Sequence, residues 1–185
     1  MDLILDHFDT PIGRLLIVAD REGNLRAVHW ADHKASLHRW LESRYGKHGY
    51  RLETAHGHLD STKVLSRYFA GELAAIDELK VKAEGTPFQR DVWRELRCIP
   101  CGSTISYGQL AKRIGRPAAV RAVGLANGSN PIAVVVPCHR VIGSDGSLTG
   151  YGGGIERKSW LLRHEGAIER QSLFQDVAGM DLRRR

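Results

Sequence analysis

The stretch SYGQLAKRIGRPAAVRAVGLAN, residues 106–127, decides how the chain is read. Ser106 stands three residues ahead of Gln109, the spacing of a capping box that starts a helix. Leu110, Ala111 and Ile114 give that helix a short apolar face, Gly115 ends it, and Pro117 opens another. The second helix, Ala118 to Asn127, is made of small residues and carries one long cation, Arg121. The pair reads as a helix-turn-helix. A face of small residues lets a helix backbone approach another surface closely. That surface is either a neighbouring helix or a nucleic-acid groove with Arg121 reaching inward.

Downstream lies Ile132-Ala133-Val134-Val135-Val136-Pro137-Cys138-His139-Arg140-Val141. The β-branched apolar run predicts a buried strand stopped by Pro137, which has no N–H for a sheet ladder. Cys138 then sits at the strand end beside His139, with the basic Arg140 next. Such neighbours favour the thiolate, the reactive form of cysteine. A buried structural cysteine accounts for the strand but not for the polar residues that follow it. On an extended chain Cys138 and His139 point to opposite faces, so a water between them is the easier route for a proton.

Thr149-Gly150-Tyr151-Gly152-Gly153-Gly154 follows, a glycine-rich loop that either approaches a flat ligand or merely turns. It lacks the Lys-Ser/Thr ending of a phosphate-binding P-loop. A last helix runs Ile155 to His164 and closes at Gly166. Glu165 at its end is unfavourable with the helix dipole and invites a partner, with His139 a candidate.

Upstream, Leu3–Phe8, Leu15–Ala19 and Leu25–Trp30 alternate with turn residues and predict an antiparallel meander. Leu37, Trp40, Leu41 and Tyr45 recur at helical spacing, as do Val64, Leu65, Tyr68 and Phe69; both sets read as core faces of helices. Residues 1–84 carry no evident chemistry. Character changes at Gly85-Thr86-Pro87, where Thr86 suits an N-cap and Pro87 the first helical turn, with Phe88, Val92, Trp93 and Leu96 as the apolar face. The domain boundary is placed there. Cys98-Ile99-Pro100-Cys101 spells C-x-x-C, but Cys98 falls at a helix C-terminus, where the dipole opposes a thiolate. No second pair with ligand spacing exists to complete a zinc site, which favours a structural reading.

The chain has 185 residues, 42% hydrophobic and 26% charged, the balance of a globular protein that buries a real core. No apolar run is long enough to span a membrane, and no signal-peptide pattern opens the chain. Three cysteines, an odd count, fit a reducing compartment. The net charge of +6 suits an anionic partner, though part of the excess lies in Arg183-Arg184-Arg185.

Thr86-Pro87-Phe88-Gln89, Ile105-Ser106-Tyr107-Gly108-Gln109-Leu110-Ala111, Arg121-Ala122-Val123-Gly124, Asn127-Gly128-Ser129-Asn130-Pro131 and Pro137-Cys138-His139-Arg140-Val141-Ile142-Gly143 occur in this order. The pattern resembles the methylated-DNA–protein-cysteine methyltransferases, or O6-alkylguanine-DNA alkyltransferases, and most of all their bacterial constitutive branch. It covers nearly the whole chain, to about Gly166. The implied fold is α+β. An N-terminal, ribonuclease H-like domain of antiparallel sheet and helices spans 1–84. A mainly helical, winged-helix-like domain carrying the helix-turn-helix spans 85–185, with 171–185 an extra tail.

The resemblance implies that Cys138 takes the alkyl group from guanine O6, and from thymine O4, in DNA, once per molecule. His139 and Glu165 would relay the thiol proton through water, and Asn130 would brace the segment. Tyr107 would help rotate the nucleotide and protonate the departing guanine. Arg121 would fill the gap left by the flipped base from the minor groove. Ala119, Ala122, Gly124 and Ser129 would lie against DNA, and Val141, Tyr151, Gly152 and Gly153 would line the base pocket. Val120 stands where the family carries a smaller residue, and Gly152 where some relatives carry a hydroxyl. The N-terminal half lacks the cysteine ligands of zinc-binding members. No metal, no cofactor and no membrane are implied; the partner is double-stranded DNA containing alkylated bases, met by a cytoplasmic monomer. Two alternatives stand beside this one, a non-catalytic lesion-binding protein of the same fold and a Cys-His-Glu hydrolase.

Overall fold

The computed structural model describes residues 1–168. Three strands form the expected meander: β1 (Asp2–Thr10), β2 (Gly13–Asp20) and β3 (Leu25–Trp30). Leu3 faces Asp20 across the first pair, and Leu15 faces Trp30 across the second. A fourth strand, β4 (Arg51–Thr54), pairs in parallel with β1, so the sheet is mixed, in the order β3-β2-β1-β4. The four residues of β4 are too short and polar to announce themselves in the sequence.

Both faces of this sheet are covered. Leu16 and Val18 of β2 point to one side, where Leu37 and Leu41 of α1 (Lys34–Tyr45) pack on Leu3 and Leu5. Leu15 and Ile17 point to the other, into a larger core with Leu65 and Tyr68 of α2 (Asp60–Phe69). That larger core runs on without a break into the second half of the chain, through Val92, Trp93, Leu110, Val123 and Leu161.

The C-terminal half is helical. Thr86 caps α3 (Pro87–Arg97) through a complete capping box with Gln89. Ser106 does the same for α4 (Tyr107–Arg113) with Gln109. The helix after the turn is shorter than expected. Pro117 and Ala118 belong to the connecting turn, Ala119 is the N-cap, and α5 spans Val120–Gly128. Trp93 Nε1 donates to the Ala126 carbonyl at 2.8 Å and ties α5 to α3. A two-residue strand, β5 (Ile105–Ser106), pairs with β6 (Val141–Ile142) beside the helix pair.

The apolar run Ile132–Val136 is not a strand. It meets β3 at a single bridge, Val28 to Ile132, and then coils back on itself. Val135 N–H donates to the Ala133 carbonyl and Val136 N–H to the Ile132 carbonyl, while Val134 holds a positive φ of 70°. Asn130 takes the place of a sheet neighbour, its side chain binding both the Ile132 N–H and the Val136 carbonyl. Burial of every residue but Ala133 explains the composition, and local turns with the Asn130 side chain replace the ladder. Cys138–Arg140 then form a 3-10 turn, so the extended backbone expected around Cys138 is also absent. The last helix, α6 (Ile155–His164), ends with Glu165 as C-cap and Gly166 at φ +73°.

Candidate active site

Cys138 is 7% exposed, at the foot of a pocket of about 130 Å³. The α5 end contributes Asn127 and Gly128 to its walls, and Asn130 and Ala133 follow them. Gly150, Tyr151, Gly152 and Gly153 form the opposite wall, and Val28, His29 and Trp30 of β3 close it. The glycine-rich loop and the cysteine therefore share one cavity. Asn130 Nδ2 donates to the Val136 carbonyl at 2.7 Å, which fixes the backbone two residues before the thiol.

Behind the thiol lies a buried charge cluster. His139 Nε2 is 3.0 Å from Glu165 Oε1. Arg140 donates Nε to Glu165 Oε2 and Nη2 to Oε1, both at 2.8 Å. The Tyr68 hydroxyl donates to the same Oε1 at 2.7 Å. Burial alone would raise the Glu165 pKa, but His139 and Arg140 hold the carboxyl well below the usual carboxylate range. Burial pushes the His139 pKa down, against the opposing pull of Glu165. The counter-charge of Glu165 is therefore Arg140, and His139 is a neutral imidazole. A carboxylate can only accept, so Nε2 carries the ring proton and Nδ1 bears a free lone pair. Nδ1 is buried and without a protein partner. Burial also pushes the Cys138 thiol up, so it rests protonated. A protonated thiol beside a neutral imidazole with an open basic nitrogen can lose its proton as it attacks.

The remaining expected residues fall in a second group. Tyr107 opens α4, half-buried, with its ring edge over Gly124 of α5. Arg121 and Ala122 are exposed on α5, and Arg121 has no ion-pair partner among the described residues. Ala119 caps that helix at its start and Ser129 at its end, where Ser129 Oγ accepts from Gln89 Nε2. None of these lines the pocket. Val141 lies in β6, fully buried, and is not a pocket wall; its carbonyl accepts from Lys158 Nζ at 2.6 Å. The tail 171–185 lies outside the described residues. Among the described residues no cluster of three or more potential ligands could hold a metal. Cys98 is exposed at the α3 C-cap, and Cys101 packs on the Arg140 guanidinium. No helix among the described residues is long and apolar enough to cross a membrane.

Residues 1–84 do reach the site, against expectation. Tyr68 was legible only as a core residue of α2, and Trp30 as the end of a strand. The available signal was chemical: a fully buried tyrosine needs a partner for its hydroxyl. Arg140 and Lys158 carry no such signal in the sequence; the structure buries both, pairing Arg140 with Glu165 and setting Lys158 on the Val141 and Thr149 carbonyls.

Residues 87–167 match the family profile described as the DNA-binding domain of 6-O-methylguanine DNA methyltransferase. The methylated-DNA–protein-cysteine methyltransferase of Shigella flexneri is 51% identical over 166 residues, covering 90% of this chain and 97% of that protein. The crystal structure of Mycobacterium tuberculosis O6-methylguanine methyltransferase superposes with a TM-score of 0.73 at 39% identity, covering 92% of this chain and 97% of that one. The structure of Mycobacterium tuberculosis OGT in complex with DNA matches at the same TM-score with 43% identity, over 90% and 94% of the two chains. A buried Cys-His-Glu cluster under a glycine-walled pocket, a capped helix-turn-helix and this similarity over nine-tenths of the length agree, and the chain belongs to the methylated-DNA–protein-cysteine methyltransferase family.

Proposed function

We propose that this protein repairs alkylated DNA by moving the alkyl group onto its own Cys138. The observation that carries the residue assignment is the buried Cys138 thiol at the foot of the glycine-walled pocket, followed in the chain by a His139 that is hydrogen-bonded to Glu165. The sulfur attacks the alkyl carbon on guanine O6, or on thymine O4. The S–C bond forms as the C–O bond breaks. The thiol proton passes through a water to His139 Nδ1, whose imidazolium form the Glu165 carboxylate would stabilise. The departing base takes a proton from the Tyr107 hydroxyl and leaves neutral; the proton held on His139 is released to water, from which Tyr107 regains its own, so the net transfer is of the thiol proton to the base. A thioether has no leaving group for water to displace here, and each molecule acts once.

Duplex DNA hides the alkyl carbon, so the nucleotide is extruded, at roughly a few kcal/mol. In this reading α5 lies in the minor groove. Ala119, Ala122, Gly124 and Ser129 give its backbone close approach, and Arg121 fills the vacated stack. The functional division falls near residue 85: the N-terminal part supports the pocket and the C-terminal part holds DNA and acceptor. The free thiols suit a reducing compartment such as the cytoplasm. The test is intact-mass and peptide mapping after exposure to methylated duplex. One methylene should appear on Cys138 per molecule, with or without chelator, and Cys138→Ser should abolish it. Label on Cys98 or Cys101, or product beyond one equivalent, would contradict the assignment.

A further inference from the structure

Arg157, in the first turn of α6, makes more connections than a surface arginine needs. Its Nε donates to the Ile12 carbonyl in the β1–β2 turn at 2.9 Å. Its Nη1 donates to Asp32 Oδ2 at 2.8 Å and to the Gly153 carbonyl at 3.0 Å. The guanidinium lies over the Trp30 ring, 4.4 Å from its centroid. Gly13, at φ +123°, admits the fork: a Cβ there would come within 2.9 Å of Arg157 Nη2. Gly153 is pressed closer still against Trp30, and a Cβ at Gly153 would overlap that indole.

The loop so held is intrinsically loose. Four of the five residues from Gly150 to Gly154 are glycine, the residue with most backbone freedom to lose. Its two ends are fixed by consecutive residues of α6. Lys158 Nζ holds the Thr149 carbonyl at 2.7 Å, and Arg157 holds the Gly153 carbonyl. Between those anchors, Gly150 to Gly153 form one wall of the Cys138 pocket. Arg157 alone of the two anchors also grips the N-terminal sheet.

We infer that Arg157 is a positioning residue that sets the height of this wall from the N-terminal sheet and so limits the size of alkyl group Cys138 accepts. The inference rests on Cys138 as acceptor. The guanidinium fork is required, because three acceptors in different directions are served at once. A lysine keeps the charge toward Asp32 but reaches fewer of them.

The test compares single-turnover alkylation of the protein by O6-methylguanine and O6-benzylguanine as free bases, which removes DNA binding and extrusion from the readout. Arg157→Ala should raise the benzyl-to-methyl rate ratio by about tenfold, the low end of what an apolar pocket discriminates per added group. Arg157→Lys should fall between it and the parent. Asp32→Asn, at a half-exposed position, should shift the ratio in the same direction by less. That variant carries the test should Arg157→Ala fail to fold. Equal losses on both bases, or an unchanged ratio in every folded variant, would overturn the inference. Wild-type protein that takes no methyl group on Cys138 would instead overturn the acceptor assignment, and the inference with it.

Discussion

Burial raises the Cys138 pKa and lowers that of His139, so both are neutral at rest, and the full charges around the thiol are those of Glu165, Arg140 and the buried Lys158. An imidazole in water titrates near about 6.5. His139 titrates below that, so its basic nitrogen stays available as pH falls through the ordinary histidine range. The single-turnover rate on free methylated guanine should therefore be flat from about pH 8 to about 6.5. A rate that halves near the ordinary histidine value would show His139 to be exposed to water. Stability carries the same sign. The unfolded chain protonates His139 first as pH falls below about 6.5, and protonates Glu165 first below about 4.3, so both groups withdraw stability on acidification. Glu165→Gln leaves Arg140 without its carboxylate and no longer enforces the Nδ1-basic tautomer; the rate should drop by about 100-fold, a typical loss of general-base assistance. Cys138, His139 and Glu165 were legible because reactive side chains adjoin a turn and a helix end. Tyr68 was not, because an α2 core position states burial and leaves the partner of the hydroxyl unsaid.

Gly124 separates two readings of the small-residue face of α5. Its missing Cβ would meet only the Tyr107 ring edge, at 3.9 Å, an ordinary contact. Gly124→Ala should therefore fit, and should stabilise the protein by about 0.5–1 kcal/mol through helix propensity. If the face packs only inside the protein, DNA affinity stays unchanged. If α5 enters a groove, the added methyl keeps the backbone from the DNA, and affinity falls while the urea midpoint rises. That opposite movement is the expected outcome, measured by binding titration beside denaturation. Arg121→Ala should complement it, slowing repair of paired duplex more than reaction with the free base. The helix starts were legible because Thr86 and Ser106 state their capping chemistry locally. The segment Ile132–Val136 departs from the strand its composition predicts because its backbone is satisfied by Asn130, a non-adjacent side chain whose role no periodicity reveals. The parallel pairing of β4 escaped for the same reason, since its partner β1 lies some fifty residues away.

The boundary near residue 85 divides the chain by composition, but the packing does not respect it. Leu15, Val28 and Leu65 share one core with Val92, Trp93 and Leu161. Tyr68 from the first half satisfies Glu165 in the second, and Arg157 from the second grips the β1–β2 turn of the first. The smaller core under α1 belongs to the first half alone, but the larger one is built from both halves, so the two should unfold together. Leu65→Ala tests this, because Leu65 is fully buried in the first half. The cavity should cost about 2–5 kcal/mol. Hydrogen exchange read on β2 and on α3 should then shift by the same free energy in both elements. Independent domains would give a different result: β2 amides would lose protection while α3 amides kept theirs. In that case the Tyr68 and Arg157 contacts would join two stable bodies, and a fragment beginning near residue 85 would keep its fold. The shared core argues for the first outcome, in which loss of the N-terminal sheet dismantles the Cys138 pocket even though the acceptor lies in the other half.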